Sequence, residues 1–463
     1  MSINISARLK SYLKVYRDVF RFFALDTWLF TFLSTLSFSQ IYPYFFYYHG
    51  VYYLLAALVL LVLSLYIGYD ILTYFKKDIL LHRDNMGQKK LKLVISMVLI
   101  FIGGYLLSIF CRPSEVIDTK GLMIHDEIVQ SKYTIKYFLE GKDPYQLSYN
   151  NTPLNLTDYY RYIEINKKLL VPNPALVTYA YLPGQFLVAV PFYQLFTAVF
   201  HWYDHRIFYV FVLLGLLFVV YRLTRNPRYR QLLLITFFFF PGFFDKIYFG
   251  FNDLQPLLLL LASLHFLKEK RIIWSVVFLG VAAASKQSVL FFIPFYLLYL
   301  FKNDYYFSSE RRKKTILSLL ILVTLAAAVV LPFYFWSPKD FINDVLDYQT
   351  GKSAQSYPIH GRGFSALIFS VLRLVPTVND YYPFIIWQVI FALPVFVYCL
   401  IRQYRDNSLK NVITNYLLTL LVFWYFSRYI FINHYTYMAL FLPVAYLIEA
   451  GGQEGKTANK SVG

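Results

Sequence analysis

Long apolar stretches, separated by short and mostly basic segments, recur along almost the whole chain. A helix needs about 20 apolar residues to cross the hydrocarbon core, and backbone groups within lipid are satisfied only in helices or closed barrels. The pattern predicts an all-α, polytopic transmembrane bundle of about twelve crossings. The candidate spans are residues 22–46, 51–75, 93–110, 206–221, 232–245, 254–267, 272–285, 287–301, 315–336, 383–401, 411–428 and 432–449.

Composition agrees with this pattern and excludes several other classes of protein. Hydrophobic residues make up 58% of the chain and charged residues only 15%, whereas a soluble domain carries about 25% charged residues. A water-soluble globule, a disordered chain and a large soluble catalytic domain are therefore excluded. The only two cysteines, Cys111 and Cys399, are too far apart in sequence to form a redox or metal motif.

The distribution of charge predicts how the chain is oriented in the membrane. The formal net charge is +18, and the basic clusters lie between apolar spans, as is typical of cytoplasmic loops. Both termini are then cytoplasmic, and binding of nucleic acid is not expected. The longest polar interruption, residues 111–178, holds eight Lys/Arg and eight Asp/Glu. This neutral loop is expected on the external face.

Two apolar segments fit this orientation only if they do not cross the membrane. A crossing by residues 179–200 would place the next basic segment outside, and a crossing by residues 361–376 would do the same further along the chain. The first segment contains Pro183 and Pro191, and proline kinks a helix. Both segments are therefore predicted to be juxtamembrane or re-entrant helices, the first of them within a large external loop, residues 111–205.

An acidic pair stands at the start of a predicted helix in this loop. Asp126 and Glu127 precede a helical stretch that ends at Gly141. Acids in a first turn are stabilised by the helix dipole, and a carboxylate there could also take a proton from a hydroxyl group. Neighbouring residues on a helix point about 100° apart, so only one of the two is expected to face a reacting atom. The sequence leaves open which one.

Further short motifs follow along the chain. They are Gly141-Lys142-Asp143-Pro144-Tyr145, Tyr179-Ala180-Tyr181-Leu182-Pro183, Asn252-Asp253 and Ala284-Ser285-Lys286-Gln287. Lys286 is the only charged residue between Arg271 and Lys302. Such a lysine either extends to the interface as an anchor or binds a phosphate as a point charge.

The order of these motifs resembles that of the GT-C superfamily of integral-membrane glycosyltransferases, closest to the polyprenyl-phosphate-mannose-dependent (GT87-like) mannosyltransferases. The resemblance covers about residues 111–300. It implies a GT-C-like fold, a catalytic acid in the first large external loop and a polyprenyl-phosphate sugar as donor. Two apolar spans precede the span that enters the loop, where these enzymes usually have one, so the first 90 or so residues lie outside the resemblance.

The residues and the resemblance together predict an inverting transferase of the cell envelope. It would move a hexose, with mannose as the expected sugar, from a polyprenyl phosphate to an acceptor hydroxyl on the external face of the cell membrane. Asp126 or Glu127 would be the base. The substrate-binding residues would be Lys286, Arg362 and Arg428 for the phosphate, Asn252, Asp253 and His434 for sugar hydroxyls, and Tyr181 and Gln287 beside them. No cofactor is needed, although a divalent cation is not excluded, and the acceptor could be a glycan, a lipid or a protein.

The chain is expected to comprise three parts. Residues 1–92 form a basic segment and two transmembrane helices, residues 93–301 the GT-C-like catalytic module, and residues 302–463 the C-terminal transmembrane helices. Two other functions stay open at this point. Intramembrane charges and broken helices are also typical of a secondary transporter or lipid flippase, and a structural subunit of an assembly would need no activity.

Overall fold

The structure is a computed structural model that describes residues 25–45, 48–75, 83–111, 124–156, 160–163, 166–302 and 308–449. The basic N-terminal segment before Leu25 and loop residues 112–123 lie outside the described residues. Within them the chain is a polytopic helical membrane protein, as the hydrophobic pattern predicts.

Helices account for most of the described chain. The α-helices are α1 (Leu25–Gln40), α2 (His49–Phe75), α3 (Arg83–Cys111), α4 (Asp126–Leu139), α5 (Gly184–Leu187), α6 (Val190–Phe200), α7 (His205–Arg222), α8 (Pro227–Phe238), α9 (Phe243–Phe249), α10 (Leu254–Lys268), α11 (Ile272–Ser285), α12 (Ile293–Lys302), α13 (Ser308–Trp336), α14 (Pro338–Ile342), α15 (Tyr348–Thr350), α16 (Phe364–Ala366), α17 (Phe384–Arg405), α18 (Leu409–Tyr425) and α19 (Ile432–Leu447). Single 3-10 turns cover Tyr42–Phe45, Pro144–Gln146, Pro153–Leu156, Pro174–Leu176 and Gln287–Phe291, and π-helical turns cover Asn343–Asp347 and Leu367–Val371.

Strands are few and short among the described residues. In the long polar loop between α4 and α5, β1 (Tyr160–Ile163) pairs antiparallel with β2 (Asn166–Pro172). Near the C-terminus, β3 (His360–Gly361) pairs in parallel with β4 (Tyr429–Ile430). The all-α prediction therefore describes the fold well.

The chain divides into two compact units. Among the described residues, unit 1 comprises those within 25–111 and 220–248, and unit 2 comprises those within 124–219 and 249–449. These units do not follow the three consecutive parts expected from the sequence. Helix α3 belongs to unit 1 with the N-terminal helices, and so do α8 and most of α9. Unit 2 contains all the residues for which chemistry is expected.

A buried ionic cluster links four helices of unit 1. Lys90 on α3 forms ion pairs with Asp26 of α1 and Asp70 of α2. Tyr66 of α2 and Gln231 of α8 each donate a hydrogen bond of 2.7 Å to Asp26 Oδ2. Charged groups in an apolar helix bundle are costly unless they are paired and hydrogen-bonded. These side chains satisfy one another and so fix how the four helices align.

Small residues let the helices of unit 2 approach closely. Ser263 of α10 and Ser275 of α11 are hydrogen-bonded at 3.2 Å between their hydroxyl oxygens. On the other side of α11, a Cβ added at Gly280 would lie 2.9 Å from Leu325 Cδ2 of α13. The helix α11, which leads to Lys286, is thus held between its two neighbours.

Long apolar helices number fewer than the crossings expected from the sequence. Among the described residues five helices are long and apolar enough to span a membrane, or six if the pair α8 and α9, bent by 51°, is one span. Three of the four shorter apolar helices, Leu254–Lys268, Ile272–Ser285 and Gln287–Lys302, coincide with further candidate spans. The fourth, Gly184–Phe200, lies in a segment that is expected not to cross. The number of about twelve crossings and the cytoplasmic position of the termini stay predictions.

The two segments expected not to cross are both irregular. In residues 179–200 the helix is broken between α5 and α6. Pro183 is the residue before α5 and Pro191 lies in the first turn of α6, so each proline begins a helix where a kink in one helix was expected. The helical structure in residues 361–376 consists of the three-residue α16 and a π-helical turn of five residues. Neither segment is a continuous helix of membrane length.

Candidate functional site

The acidic pair lies where the sequence predicts, at the first turn of α4. His125 is the N-cap residue, with an extended backbone (φ −63°, ψ 139°), and its Nδ1 accepts a hydrogen bond from the Glu127 N–H at 3.2 Å. Asp126 and Glu127 occupy the first two helical positions, where the dipole favours negative charge. Gly141, at φ +76°, follows the end of the helix.

A turn between α9 and α10 fixes the start of α4. The His125 N–H donates to the carbonyl oxygen of Phe249 at 2.5 Å. Gly250 adopts φ +111°, and a Cβ there would lie 2.7 Å from Ile128 Cγ1. Only glycine suits both the backbone conformation and the contact. The turn that carries Asn252 and Asp253 is therefore held directly against the acidic pair.

Glu127 is enclosed by side chains of α4 and α7. It has no exposed surface. Ser131 Oγ donates a hydrogen bond of 2.6 Å to its Oε1, and the Tyr209 hydroxyl donates to Oε2 at 3.1 Å. The Nε2 atom of buried His205 lies 3.9 Å from Oε1. These contacts leave no side of the Glu127 carboxylate open to a substrate.

Asp126 has a different environment, although it is the next residue. Its side chain is 10% exposed, and its Oδ1 atom lies 2.9 Å from His125 Nδ1. The backbone N–H of Glu127 donates to the same oxygen at 3.0 Å. Of the two acids, Asp126 alone has surface that a substrate hydroxyl could reach.

A chain of polar side chains joins the acidic pair to the Tyr181 segment. Asn252 Nδ2 donates to the Tyr181 hydroxyl at 2.9 Å. Gln185 Nε2 donates to the Asn252 carbonyl at 3.2 Å and to the Tyr209 hydroxyl at 3.4 Å. Since Tyr209 bonds Glu127, the structure brings Tyr181, Asn252 and the acids into one neighbourhood.

Lys286 is the cation of this neighbourhood. It follows the end of α11, and its side chain, 17% exposed, forms an ion pair with Asp253, whose side chain is 5% exposed. The charge of Glu127 acts on Lys286, and the charge of Lys286 acts on His434. Asp253 is therefore placed as the counter-ion of Lys286, whereas the sequence led us to expect it among the sugar ligands.

A close approach holds the Lys286 end of α11 against the Tyr181 segment. Gln255 Nε2 donates to the Gly184 carbonyl at 2.8 Å and to Ser285 Oγ at 3.0 Å. A Cβ at Gly184 would lie 2.6 Å from the Ala284 carbonyl oxygen. The two chain segments are packed backbone to backbone, so the position of Lys286 relative to Tyr181 has little freedom.

Residues 338–350 cover the Tyr179–Tyr181 segment. Asp344, on the π-helical turn, accepts a hydrogen bond from the Tyr179 N–H at 2.8 Å. Gln287 Nε2 donates to the Val345 carbonyl at 3.4 Å, and Gln349 Nε2 donates to the Ala180 carbonyl at 3.4 Å. Burial raises the pKa of the Asp344 carboxyl to about 6. Single π-turns often mark functional sites.

Three of the residues expected to bind substrate are not in the hydrogen-bonded network around Lys286 and the acidic pair. Arg428 is buried, and its guanidinium donates to the carbonyl oxygens of Tyr357, Val378 and Asp380, which holds the 357–380 loop. His434 Nδ1 accepts the Phe431 N–H at 3.0 Å at the start of α19. Arg362 is exposed. Phosphate binding by the two arginines and sugar binding by His434 stay predictions, without support from this geometry.

Several residues of the site were not anticipated from the sequence. They are His125, Ser131, Gln185, His205, Tyr209 and Asp344. Some left a signal, because Ser131 stands four residues after Glu127, and His205 and Tyr209 are four apart on one face of α7. Asp344 left none, since nothing in the sequence links it to Tyr179. The described residues contain no group of three His, Cys, Asp or Glu side chains that could hold a metal ion.

Comparison with known proteins gives the chain a family. The profile of Glycosyltransferase family 87 matches residues 179–423, more than half of the chain. The matched region includes Tyr181, Asn252, Asp253 and Lys286 and begins after the acidic pair. No curated protein and no solved structure matches the chain. The chain belongs to glycosyltransferase family 87, as the order of its motifs predicts.

Proposed function

We propose that this protein is an inverting glycosyltransferase. It moves a hexose, which we expect to be mannose, from a polyprenyl phosphate to an acceptor hydroxyl on the external face of the cell membrane. The observation that carries the proposal is the presence of a partly exposed carboxylate, Asp126, and a lysine, Lys286, at two ends of one hydrogen-bonded network. From Glu127, beside Asp126, hydrogen bonds lead through Tyr209 and Gln185 to Asn252. The next residue, Asp253, is the ion-pair partner of Lys286. The carboxylate can remove a proton from the acceptor hydroxyl, and the cation can stabilise the phosphate of the donor.

Asp126 is the general base in this proposal. It is the acid with exposed surface, whereas Glu127 is fully buried and hydrogen-bonded by Ser131 and Tyr209. A base must come within about 2.6–3.2 Å of the proton it removes, and Glu127 cannot do so in this arrangement. The acceptor oxygen attacks the anomeric carbon, the bond from that carbon to the phosphate oxygen breaks, and Asp126 takes the hydroxyl proton. Attack from the face opposite the phosphate inverts the anomeric centre.

Lys286 binds the donor phosphate and offsets the charge that develops on it as the sugar leaves. In the free protein Asp253 neutralises Lys286. An incoming phosphate shares or replaces this partner, so the lysine is never a buried, unpaired charge. Tyr181 and Asn252, which are hydrogen-bonded to each other, present a hydroxyl and an amide for sugar hydroxyls. Gln287 holds the 338–350 segment beside them.

The donor class is tested with purified full-length protein in lipid vesicles. The vesicles receive a panel of polyprenyl phosphates carrying radiolabelled mannose, glucose or galactose, with an extract of the source membranes as acceptor. We expect the protein to consume one of these donors, and we expect that donor to be the one that carries mannose. Consumption of none of them, by protein that is folded and correctly inserted, would show the proposed donor class to be wrong.

The residue roles are tested in the same vesicles. Asp126→Asn should lower the transfer rate by about 10²–10⁴-fold, the usual contribution of a general base. Glu140→Gln, at the exposed end of the same helix, is the matched control and should leave the rate unchanged. Lys286→Met should weaken donor binding. If Asp126→Asn transfers sugar at the native rate, the assignment of Asp126 as the base is wrong.

A further inference from the structure

The aspartate that pairs with Lys286 stands where a helix cap is expected. Asp253 occupies the N-cap position of α10, and aspartate is one of the preferred residues there. Its side chain nevertheless makes no capping hydrogen bond, and its carboxylate forms the ion pair with Lys286. The Asp253 side chain is 5% exposed, so the ion pair is largely shielded from water. Capping of α10 therefore does not explain Asp253, whereas its contact with Lys286 does.

Backbone contacts hold the two ends of this ion pair. The turn that leads to Asp253 packs against α4 at Gly250. The segment before Lys286 packs against Gly184, where a Cβ would lie 2.6 Å from the Ala284 carbonyl oxygen. Hydrogen bonds between charged groups span about 2.7–2.9 Å, so two oxygens that contact one ammonium nitrogen lie within about 6 Å of each other. A phosphate that binds Lys286 therefore comes to lie close to the Asp253 carboxylate.

The proposed reaction changes the charge of the phosphate. In the donor the phosphate is a diester with a single negative charge. When the bond from the anomeric carbon to the phosphate oxygen breaks, that oxygen keeps the electron pair, and the product is a monoester whose second pKa is about 6. Above that pH the product therefore carries a second negative charge. Because the Coulomb energy is proportional to each charge, a nearby carboxylate repels the product about twice as strongly as it repels the donor.

From this geometry we infer that Asp253 determines the preference of the site for the sugar donor over the polyprenyl phosphate product, and so promotes release of the product. The inference rests on the proposed function. Lys286 attracts both ligands, and alone it would hold the dianionic product more tightly than the donor. Asp253 offsets this attraction, more for the product than for the donor. The charge of Glu127, which also acts on Lys286, adds to the same effect.

The test measures equilibrium binding to full-length protein in lipid nanodiscs at pH 8. The probes are radiolabelled polyprenyl phosphate and its methyl ester, which share one lipid chain. At this pH the phosphate is a dianion, whereas the ester carries a single charge as the donor does. The wild-type protein should bind the ester more tightly than the phosphate. Asp253→Asn should tighten binding of the ester about tenfold and of the phosphate about a hundredfold, because doubling a free energy squares the ratio of the binding constants.

Two variants control for changes that do not depend on this charge. Asp253→Glu keeps the carboxylate and should keep the wild-type ratio of the two dissociation constants. Glu140→Gln removes the carboxylate of an exposed ion pair with Lys142 and should leave both constants unchanged. In the vesicle transfer assay, added polyprenyl phosphate should inhibit Asp253→Asn at a concentration about tenfold or more below that needed for wild-type protein.

Three results would overturn this role of Asp253. The first is wild-type protein that binds the phosphate more tightly than the ester, a result that needs no variant. The others are an Asp253→Asn variant that binds both ligands more tightly by the same factor, and one that binds neither more tightly. If wild-type protein transfers sugar from a donor of the panel, the proposed function stands and the role of Asp253 alone is wrong. If it transfers sugar from none of them, the proposed function is wrong and this inference with it.

Discussion

Replacing Asp344 by asparagine should stabilise the folded protein at neutral pH. The Asp344 side chain is only 3% exposed, and its carboxylate accepts the Tyr179 N–H at 2.8 Å. It lies beyond α13, outside the candidate membrane spans. An asparagine oxygen can accept the same N–H, so Asp344→Asn keeps this hydrogen bond and removes the buried charge. It also gives up the bond of 3.1 Å that Asp344 Oδ1 accepts from Asn343 Nδ2, but Asn343 is partly exposed, so water can replace that bond.

The size of the effect follows from the pKa of this carboxyl, which burial raises from its ordinary value of 3.8 to about 6. The difference of about 2.2 corresponds to about 3 kcal/mol. Because the pKa is raised in the folded state, the folded protein binds the proton more tightly than the unfolded chain does. This contribution to stability is fully present below pH 4 and is lost as the pH rises through 6. Above that pH the wild-type protein should be about 3 kcal/mol less stable than Asp344→Asn.

Thermal unfolding of the solubilised protein between pH 4 and pH 8 measures this difference. For a chain of 463 residues, with an unfolding entropy of about 1 kcal/mol/K, 3 kcal/mol shifts the midpoint by about 3 °C. The variant should unfold about 3 °C higher at pH 7.5 and at the wild-type temperature near pH 4. Asp340→Asn, a less buried acid on the same segment, is the control. A midpoint difference between Asp344→Asn and wild type that is the same at every pH would refute the reasoning.

Two further substitutions test the packing that holds the site. Gly250→Ala should lower the rate of sugar transfer tenfold or more, because Gly250 adopts φ +111° and a Cβ there would lie 2.7 Å from an α4 side chain. Gly141→Ala controls for backbone strain in the same assay, because Gly141 adopts φ +76° with nothing within 4 Å of its Cβ position. Equal transfer rates for the two variants would contradict the prediction. Arg428→Lys should lower the free energy of unfolding by about 2–5 kcal/mol, because one ammonium cannot reach three carbonyls. An unchanged thermal unfolding midpoint would contradict this prediction.

Helix α4 was predictable from the sequence because its signals are local. The acids of its first turn, Asp126 and Glu127, and the glycine after its end, Gly141, each act over one helical turn. The alternation of apolar spans and basic segments is also a local property, and it predicted a polytopic helical protein. The order of the short motifs was enough to indicate the glycosyltransferase family, although the family match itself begins at residue 179.

Contacts between distant segments could not be predicted in the same way. Asp344 and Tyr179 are 165 residues apart and bond through a backbone N–H, which leaves no trace in the identity of Tyr179. Arg428 was expected to bind phosphate because a charged residue near a membrane span is usually functional. The structure gives its guanidinium three carbonyl partners from a loop 48–71 residues away, a need that only the folded loop creates.

The choice between the two adjacent acids shows most clearly where sequence reasoning stops. Helical geometry requires Asp126 and Glu127 to face different surroundings, but it does not say which of them faces the protein interior. That depends on α7, whose Tyr209 bonds Glu127 and whose His205 lies beside it. Since α7 begins nearly 80 residues later, the identity of the base is decided by how two helices pack. Shortening Tyr209 to Phe should therefore loosen Glu127 and disturb Asp126 only indirectly, which a fall in kcat smaller than that of Asp126→Asn would confirm.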